Sequence, residues 1–303
     1  MLESAVFGIM GDALWDRVDV LADPCESNFA VTKFVAEPFN FLSAFGLILA
    51  GCNAMHQSRK YNFETRFMVL GFSVVVMGAS SAFFHATLYQ RAKSWEEMAI
   101  VWAAFGWICV LSQMNSPTNQ TPCVAMVLSL GGGLWILQMG FDPQIILMGS
   151  RIFLNLYCAI GVYLLNDCVE KYCNLPLLLR RNKEYNFNPH PSMLKLQLMA
   201  RWQVACAATA ALVWILEVSF CGSLKNFQPH ALYHLLIGLS CHYGLQFAMA
   251  LRQSILHKAP PATSWSLGGL LGCVVPTEVP SRAMGAQLRW LLKIAGVDHL
   301  DNV

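Results

Sequence analysis

The sequence predicts an all-α membrane protein, a bundle of seven transmembrane helices, and three observations carry this prediction. Of its 303 residues, 56% are hydrophobic and only 13% are charged, whereas soluble domains carry about 25% charged residues. The apolar residues gather into seven segments, most of them long enough to cross a bilayer as a helix. Most connections are short and rich in turn residues, which favours an up-and-down bundle with antiparallel sequence neighbours.

The seven segments divide the chain into three parts. They cover residues 38–55, 66–88, 97–114, 122–140, 145–165, 199–220 and 230–251. Residues 1–37 precede them as an N-terminal segment, and residues 252–303 follow as a tail without catalytic residues, in which 281–297 can form an amphipathic helix. No basic block of the kind that binds nucleic acid is present. The sequence leaves the oligomeric state open.

The distribution of lysine and arginine predicts the orientation in the membrane. Thirteen of the 20 lie after the odd-numbered segments or in the tail, and five lie on the other side. Because positive residues favour the cytosolic side, we expect a lumenal N-terminus and a cytosolic C-terminus. A glycosylation sequon at 119–121 then falls in a cytosolic loop, and we interpret it as a chance match.

Two short patterns place histidines on helix faces. Ser81 and His85 are four residues apart in the second segment, and His230 and His234 are four apart at the start of the seventh. Residues at this spacing share one face of a helix. Glu96 follows His85 by eleven residues, at the opening of the third segment. In the predicted orientation all five side chains lie near the same membrane surface.

These residues suggest a zinc site. The three imidazoles of His85, His230 and His234 match the ligand count of a catalytic zinc ion that keeps one open position. Zinc would activate water and polarise a carbonyl group, Glu96 would act as general base and acid, and Ser81 would hydrogen-bond to the developing oxyanion. The alternative is that the histidines are hydrogen-bonded core residues, Ser81 a packing residue and Glu96 a favourable charge at a helix start.

The N-terminal segment carries a second cluster, rich in oxygen ligands. Asp23, Glu26 and Asn28 lie within six residues, and Glu37 directly precedes the first segment. Such hard ligands suit calcium. The alternative is a solvated acidic loop in which Asp23 or Asn28 caps a helix.

The two clusters resemble the motifs of the alkaline ceramidases, in the superfamily of seven-helix hydrolases that includes the progestin and adiponectin receptors. The family's Ser-x3-His, the acid eleven residues on and the later His-x3-His match Ser81, His85, Glu96, His230 and His234. Its calcium motif matches Asp23, Cys25, Glu26, Asn28 and Glu37, with the carbonyl group of Pro24 as a further ligand. Two positions depart from the family: Glu96 replaces an aspartate and Pro24 replaces a tryptophan.

The resemblance implies an enzyme of the endoplasmic reticulum or Golgi membrane. It would cleave the amide of a ceramide-like lipid into a sphingoid base and a fatty acid, with zinc as cofactor and calcium as regulator. The alternative is a lipid-sensing seven-helix receptor, or a pseudoenzyme with a structural zinc ion, whose site would lack an exchangeable position. The acyl-chain and sphingoid-base preferences stay open.

The predicted orientation also selects one cysteine pair. Of the eleven cysteines, Cys25 and Cys221 are the two in segments assigned to the oxidising side, where disulfides persist. We therefore predict a Cys25–Cys221 disulfide, the alternative being two free thiols. The bond would join the N-terminal segment to the start of the seventh segment and couple the proposed calcium and zinc sites.

Overall fold

The computed structural model describes residues 25–115, 121–140, 143–171, 191–257, 262–266 and 271–275. Seven α-helices in these ranges match the seven apolar segments one to one, so the predicted all-α bundle is confirmed. They are α1 Pro38–Lys60, α2 Thr65–Thr87, α3 Gln90–Ser112, α4 Thr121–Gly140, α5 Pro143–Val169, α6 Pro191–Leu224 and α7 Pro229–His257.

The helix boundaries differ from the predicted segments in ways that matter for the site. α3 begins at Gln90, so Glu96 lies in the second turn of the helix and not at its opening. α6 spans 34 residues but is kinked at Phe220, whose backbone is not helical. α7 continues to His257, past the expected start of the tail at 252. Four helices begin with proline, which suits the first helical position because its missing N–H would have no partner there.

Five of the described helices, α1, α2, α3, α5 and α6, combine the length and apolarity that crossing a membrane requires. α7 is not among them because polar side chains lower its mean hydropathy. His234, His242 and Gln246 are all buried in the bundle. Polar groups in a membrane helix are expected to face the protein interior, so α7 is the helix whose polar face turns inward.

Glycines bring α1 against both helices that carry the predicted histidines. A Cβ atom on Gly51 of α1 would lie 2.5 Å from the carbonyl oxygen of Gly71 in α2, and one on Gly238 of α7 would lie 3.0 Å from the carbonyl carbon of Gly46. Small residues at such crossings allow helix backbones to touch. α1 therefore packs between α2 and α7, while α6 packs on α7 and α3 on α2.

A buried charge cluster ties helices together at the end where α1 terminates. Arg252 of α7 is 2% exposed. Its guanidinium donates to Glu64 at 2.6 Å and to the carbonyl oxygen of Met114 at 2.6 Å. Glu64 also pairs with Arg66 of α2 at 2.5 Å. Because these contacts join α7 to the start of α2 and the end of α3, they help to hold α7 at a fixed height in the bundle.

The tail adds one feature that the sequence analysis did not predict. Residues Ala262–Ser266 (β1) and Leu271–Val275 (β2) form an antiparallel pair in which Ala262 lies opposite Val275. The amphipathic helix expected at 281–297 lies outside the described residues.

Candidate metal centre

The three predicted zinc ligands converge at the end of the bundle where α1 begins. His85 lies in the last turn of α2, and His230 and His234 lie in the first two turns of α7. One potential ligand atom from each of the three lies within 4.8 Å of the other two. In the described part of the chain, this is the one group of three histidine, cysteine or acidic side chains close enough to share an ion.

The Nδ1 atom of each histidine already has a partner. His85 Nδ1 lies 2.5 Å from a carboxylate oxygen of Glu37, and His230 Nδ1 lies 2.8 Å from one of Glu217. His234 Nδ1 lies 3.0 Å from Ser43 Oγ and 3.3 Å from the carbonyl oxygen of Asn40. Carboxylate and carbonyl acceptors place the ring proton on Nδ1 and leave the Nε2 lone pair for a metal, as at known zinc sites.

The Nε2 side of the cluster fits a metal ion. His85 is fully buried, and its Nε2 atom has no hydrogen-bond partner, although buried polar atoms are nearly always satisfied. Three imidazoles with oriented Nδ1 atoms are a suitable donor set for zinc. The residues therefore fit the metal that the sequence analysis expects.

Ser81 and Glu96 lie on this same Nε2 side. The Ser81 hydroxyl donates to Glu96 Oε1 at 2.7 Å and lies 3.3 Å from His234 Nε2. Glu96 Oε1 also lies 4.0 Å from His85 Nε2. The structure thus brings together all five residues of the predicted zinc constellation, and the carboxylate and hydroxyl both border the position that a metal would occupy.

Lys93 fixes the other oxygen of this carboxylate. Its ammonium group donates to Glu96 Oε2 at 2.6 Å, lies 3.9 Å from Glu97 and sits 4.7 Å above the ring of Phe84. Glu96 itself is only 4% exposed. An ion pair with good geometry offsets the free-energy cost of burying the carboxylate charge. Lys93 therefore neutralises the charge of Glu96, and because it contacts Oε2, the Oε1 atom faces the histidines.

The N-terminal segment is attached to this end of the bundle by a disulfide. Cys25 and Cys221 are bonded, with their Cα atoms 5.3 Å apart, as the sequence analysis predicts. The neighbouring Glu26 accepts hydrogen bonds from the backbone N–H groups of Phe39 and Asn40 at 2.9 and 3.0 Å. A carboxylate at this position caps the first turn of α1. Burial raises the pKa of Glu26, while the two N–H donors act against that shift.

Two of the predicted calcium ligands, Glu26 and Glu37, form hydrogen bonds with other parts of the protein. Glu26 caps the first turn of α1. The alternative to a calcium site had assigned a capping role to Asp23 or Asn28. Glu37 directs one oxygen to His85 and the same oxygen accepts a bond from the Asn40 side chain at 3.2 Å. Asp23 and Pro24 lie outside the described residues.

Four residues that contact the histidines or Glu96 were not predicted from the sequence: Asn40, Ser43, Lys93 and Glu217. Glu217 gave a usable signal, because an acidic residue inside an apolar segment generally has a functional or structural reason. Lys93 gave a weaker one through its spacing of three residues from Glu96. Asn40 and Ser43 gave none, since small polar residues are common in membrane helices.

Comparisons with known proteins find similar sequences over most of the chain. A family model described as Ceramidase matches residues 18–271. An alkaline ceramidase of Arabidopsis thaliana is 22% identical over 245 residues, covering 79% of this chain and 87% of the relative. Alkaline ceramidase YPC1 of Saccharomyces cerevisiae is 21% identical over 269 residues, covering 80% and 78%. Alkaline ceramidase 3 of Mus musculus is 21% identical over 266 residues, covering 81% and 89%.

Proposed function

Because the chain belongs to the ceramidase family, we propose that it is a zinc-dependent hydrolase that cleaves the amide of ceramide-like lipids to a sphingoid base and a fatty acid. The observation that carries the proposal is the position of Glu96 Oε1. It lies 4.0 Å from His85 Nε2 and 2.7 Å from the Ser81 hydroxyl. A proton acceptor and a hydroxyl donor thus stand together beside three imidazoles, which is the arrangement that metal-assisted hydrolysis requires.

His85, His230 and His234 would hold the zinc ion through their Nε2 atoms. When bound, zinc would supply a Lewis acid that polarises the amide carbonyl and makes water more acidic. Glu37, Glu217 and the α1 groups around Asn40 keep the three rings in place. The rings then need no reorientation when a substrate arrives, and such preorganisation favours catalysis.

Glu96 would carry the proton during the reaction. Its Oε1 atom would accept a proton from the attacking water and later return it to the nitrogen of the leaving amine. Lys93 holds Oε2 at 2.6 Å and so keeps Oε1 directed at the reacting atoms. The Ser81 hydroxyl would orient the water before attack and would donate to the amide oxygen as negative charge develops there.

The surroundings of the site suit a lipid substrate. Five described helices are long and apolar enough to cross a membrane, and the metal centre lies at one end of their bundle. A ceramide-like lipid could keep its chains among apolar surfaces while its amide reaches that end. We place this end in the lumen of the endoplasmic reticulum or Golgi, because the lysine and arginine distribution favours it and a disulfide is stable in that compartment.

Calcium binding by Asp23, Pro24, Glu26, Asn28 and Glu37 is a separate proposal. Its support is a short segment that offers two buried carboxylates, Glu26 and Glu37, in keeping with the oxygen ligands that calcium prefers. A calcium ion there would adjoin the first turn of α1 and the carboxylate that contacts His85. Through these contacts it would regulate how firmly His85 is held.

The function is tested with purified protein and a panel of ceramides of different chain lengths, with fatty acid release followed by mass spectrometry. Glu96→Gln should keep the fold and the zinc but lower kcat by about 100- to 10,000-fold. Asp167→Asn is the control, because Asp167 pairs with Lys171 in its own part of the chain at 2.9 Å and should leave turnover unchanged. A chelator should stop the reaction and added zinc should restore it.

Two results would contradict the proposal. Equal turnover in Glu96→Gln and the parent would show that another group moves the proton. If the parent holds zinc yet releases no fatty acid from any ceramide, the alternative of a lipid-sensing receptor or a pseudoenzyme with structural zinc takes its place.

A further inference from the structure

Glu217 is a buried acid that the proposed hydrolysis does not use. It lies in α6, within a helix apolar enough to cross a membrane, and is 4% exposed. Burying a carboxylate in such surroundings costs free energy unless it gains specific partners. Its contacts therefore indicate what it does.

The two carboxylate oxygens of Glu217 contact two different parts of the chain. Oε2 lies 2.8 Å from His230 Nδ1 in α7, and Oε1 accepts a hydrogen bond from the backbone N–H of Cys25 at 3.4 Å. The side chain thus lies between a candidate zinc ligand and the N-terminal segment. A carboxylate with both oxygens engaged has little freedom to rotate, and it limits the rotation of the ring it contacts.

The disulfide keeps Cys25 at this position. Cys25 is bonded to Cys221, which lies four residues after Glu217. The helix is interrupted between these two residues at Phe220, whose backbone angles (φ -133°, ψ 30°) are not helical. The N–H of Cys25 is thereby held against the Glu217 carboxylate. Without the bond, Cys25 would be held only through its neighbour Glu26, which accepts hydrogen bonds from Phe39 and Asn40, and Oε1 of Glu217 would be restrained less.

We propose that Glu217 is a positioning residue for His230 and that the Cys25–Cys221 disulfide supports the metal centre through Glu217. This inference rests on the proposed zinc site. Hydrogen-bonding partners of a ligating histidine typically change metal affinity about 10- to 100-fold when they are removed. A disulfide that acted only by restricting the unfolded chain would change stability but leave the zinc affinity of the folded protein unaltered.

The test measures zinc affinity in the full-length purified protein by competition with a chromophoric chelator. Glu217→Gln keeps the side-chain volume but removes the charge, and it should weaken zinc binding about 10- to 100-fold. Replacing both Cys25 and Cys221 by serine should weaken it in the same direction. In a protein that already carries Glu217→Gln, removing the disulfide should have little further effect, because both changes act on one contact.

Matched controls separate positioning from general damage. Glu97→Gln removes another buried acid, and Cys52→Ser with Cys158→Ser removes two free, exposed cysteines; neither should change zinc affinity. Cobalt substitution gives a second measurement, since its visible absorption reports the geometry of the ligands. The cobalt spectrum should change in Glu217→Gln even if the metal-free protein unfolds at the same temperature as the parent.

The outcomes distinguish this inference from the proposed function. If the parent binds zinc and both Glu217→Gln and the double serine variant bind it equally well, the inference is wrong while the metal site stands. Fully additive effects of the two changes would refute the link through Glu217. A parent that binds no zinc would overturn both proposals, whereas a parent that binds zinc tightly but hydrolyses no ceramide would overturn the function alone.

Discussion

The Ser81 hydroxyl and the Glu96 carboxylate, fifteen residues apart in the chain, are joined by a 2.7 Å hydrogen bond. The turn between α2 and α3 makes this possible, because Leu88 adopts a left-handed conformation (φ 53°) and ends α2 at Thr87, two residues after His85. α3 then starts at Gln90 and brings Glu96 back beside Ser81. The serine and the acid therefore act as a pair and not as separate groups.

Ser81→Ala should lower kcat by about 100- to 1,000-fold, the usual effect of removing one donor to a developing oxyanion. Zinc content should stay the same, because Ser81 is not among the three ligands. Ser80→Ala is the control, since the neighbouring Ser80 hydroxyl donates to the carbonyl oxygen of Val76 at 2.8 Å within its own helix. Equal losses of activity in the two variants would point to helix packing as the cause.

His85→Ala should remove zinc from the purified protein, because two imidazoles bind the ion much more weakly than three. His242→Ala should retain it, since His242 is buried in the same helix as His234 but two turns further along. Elemental analysis gives both answers. In the parent, zinc at 100 times its dissociation constant should stabilise the fold by about 2.7 kcal/mol. Full zinc content in His85→Ala would refute the site.

Lys93→Met should reduce kcat by up to about 100-fold, because Glu96 would lose the partner that directs its Oε1 atom towards the metal. Lys93→Arg should recover part of the activity, since it keeps a positive charge near Oε2. Arg91→Met changes an exposed residue two positions away in α3 and should have little effect. An unaltered kcat in Lys93→Met would mean that Ser81 alone positions Glu96.

Calcium should raise the melting temperature of the parent and raise it much less in Glu26→Ala. That variant should also be less stable without calcium, by about 1 kcal/mol, because Glu26 caps the first turn of α1. Asn28→Ala removes a proposed ligand without removing this cap, so it should lose the calcium response. An identical calcium response in all three proteins would favour the capping role alone.

The convergence of Ser81, His85, Glu96, His230 and His234 could be predicted because the sequence patterns that indicate it are local. His230 and His234 share a helix face through their spacing, and the depth of His85 follows from counting membrane crossings. The helix start at Gln90 was not predicted, because the first two turns of α3 contain charged residues such as Lys93 and Glu96 and so do not form an apolar segment.

The partners of the histidines were not predictable in the same way. Glu37 contacts His85 across 48 residues and Glu217 contacts His230 across 13, and neither pair has a characteristic spacing. Such contacts depend on how α1, α6 and α7 pack. The sequence alone does not show which glycines lie at helix crossings. The close approaches between α1 and its neighbours are visible only in the structure.

The ligands of the metal centre come from helices that are synthesised at different times. His85 precedes His230 by 145 residues, which at the usual rate of translation is a delay of about 7 to 30 s. Glu37, the partner of His85, directly precedes α1, and Lys93, the partner of Glu96, lies in the same helix as Glu96. Both partners are therefore synthesised before His230. The groups that contact His85 and Glu96 from the early helices are thus available before the last helix, whereas the candidate metal site is incomplete until His230 and His234 have been made. Under the proposed function, binding of zinc by all three histidines therefore cannot precede the synthesis of α7.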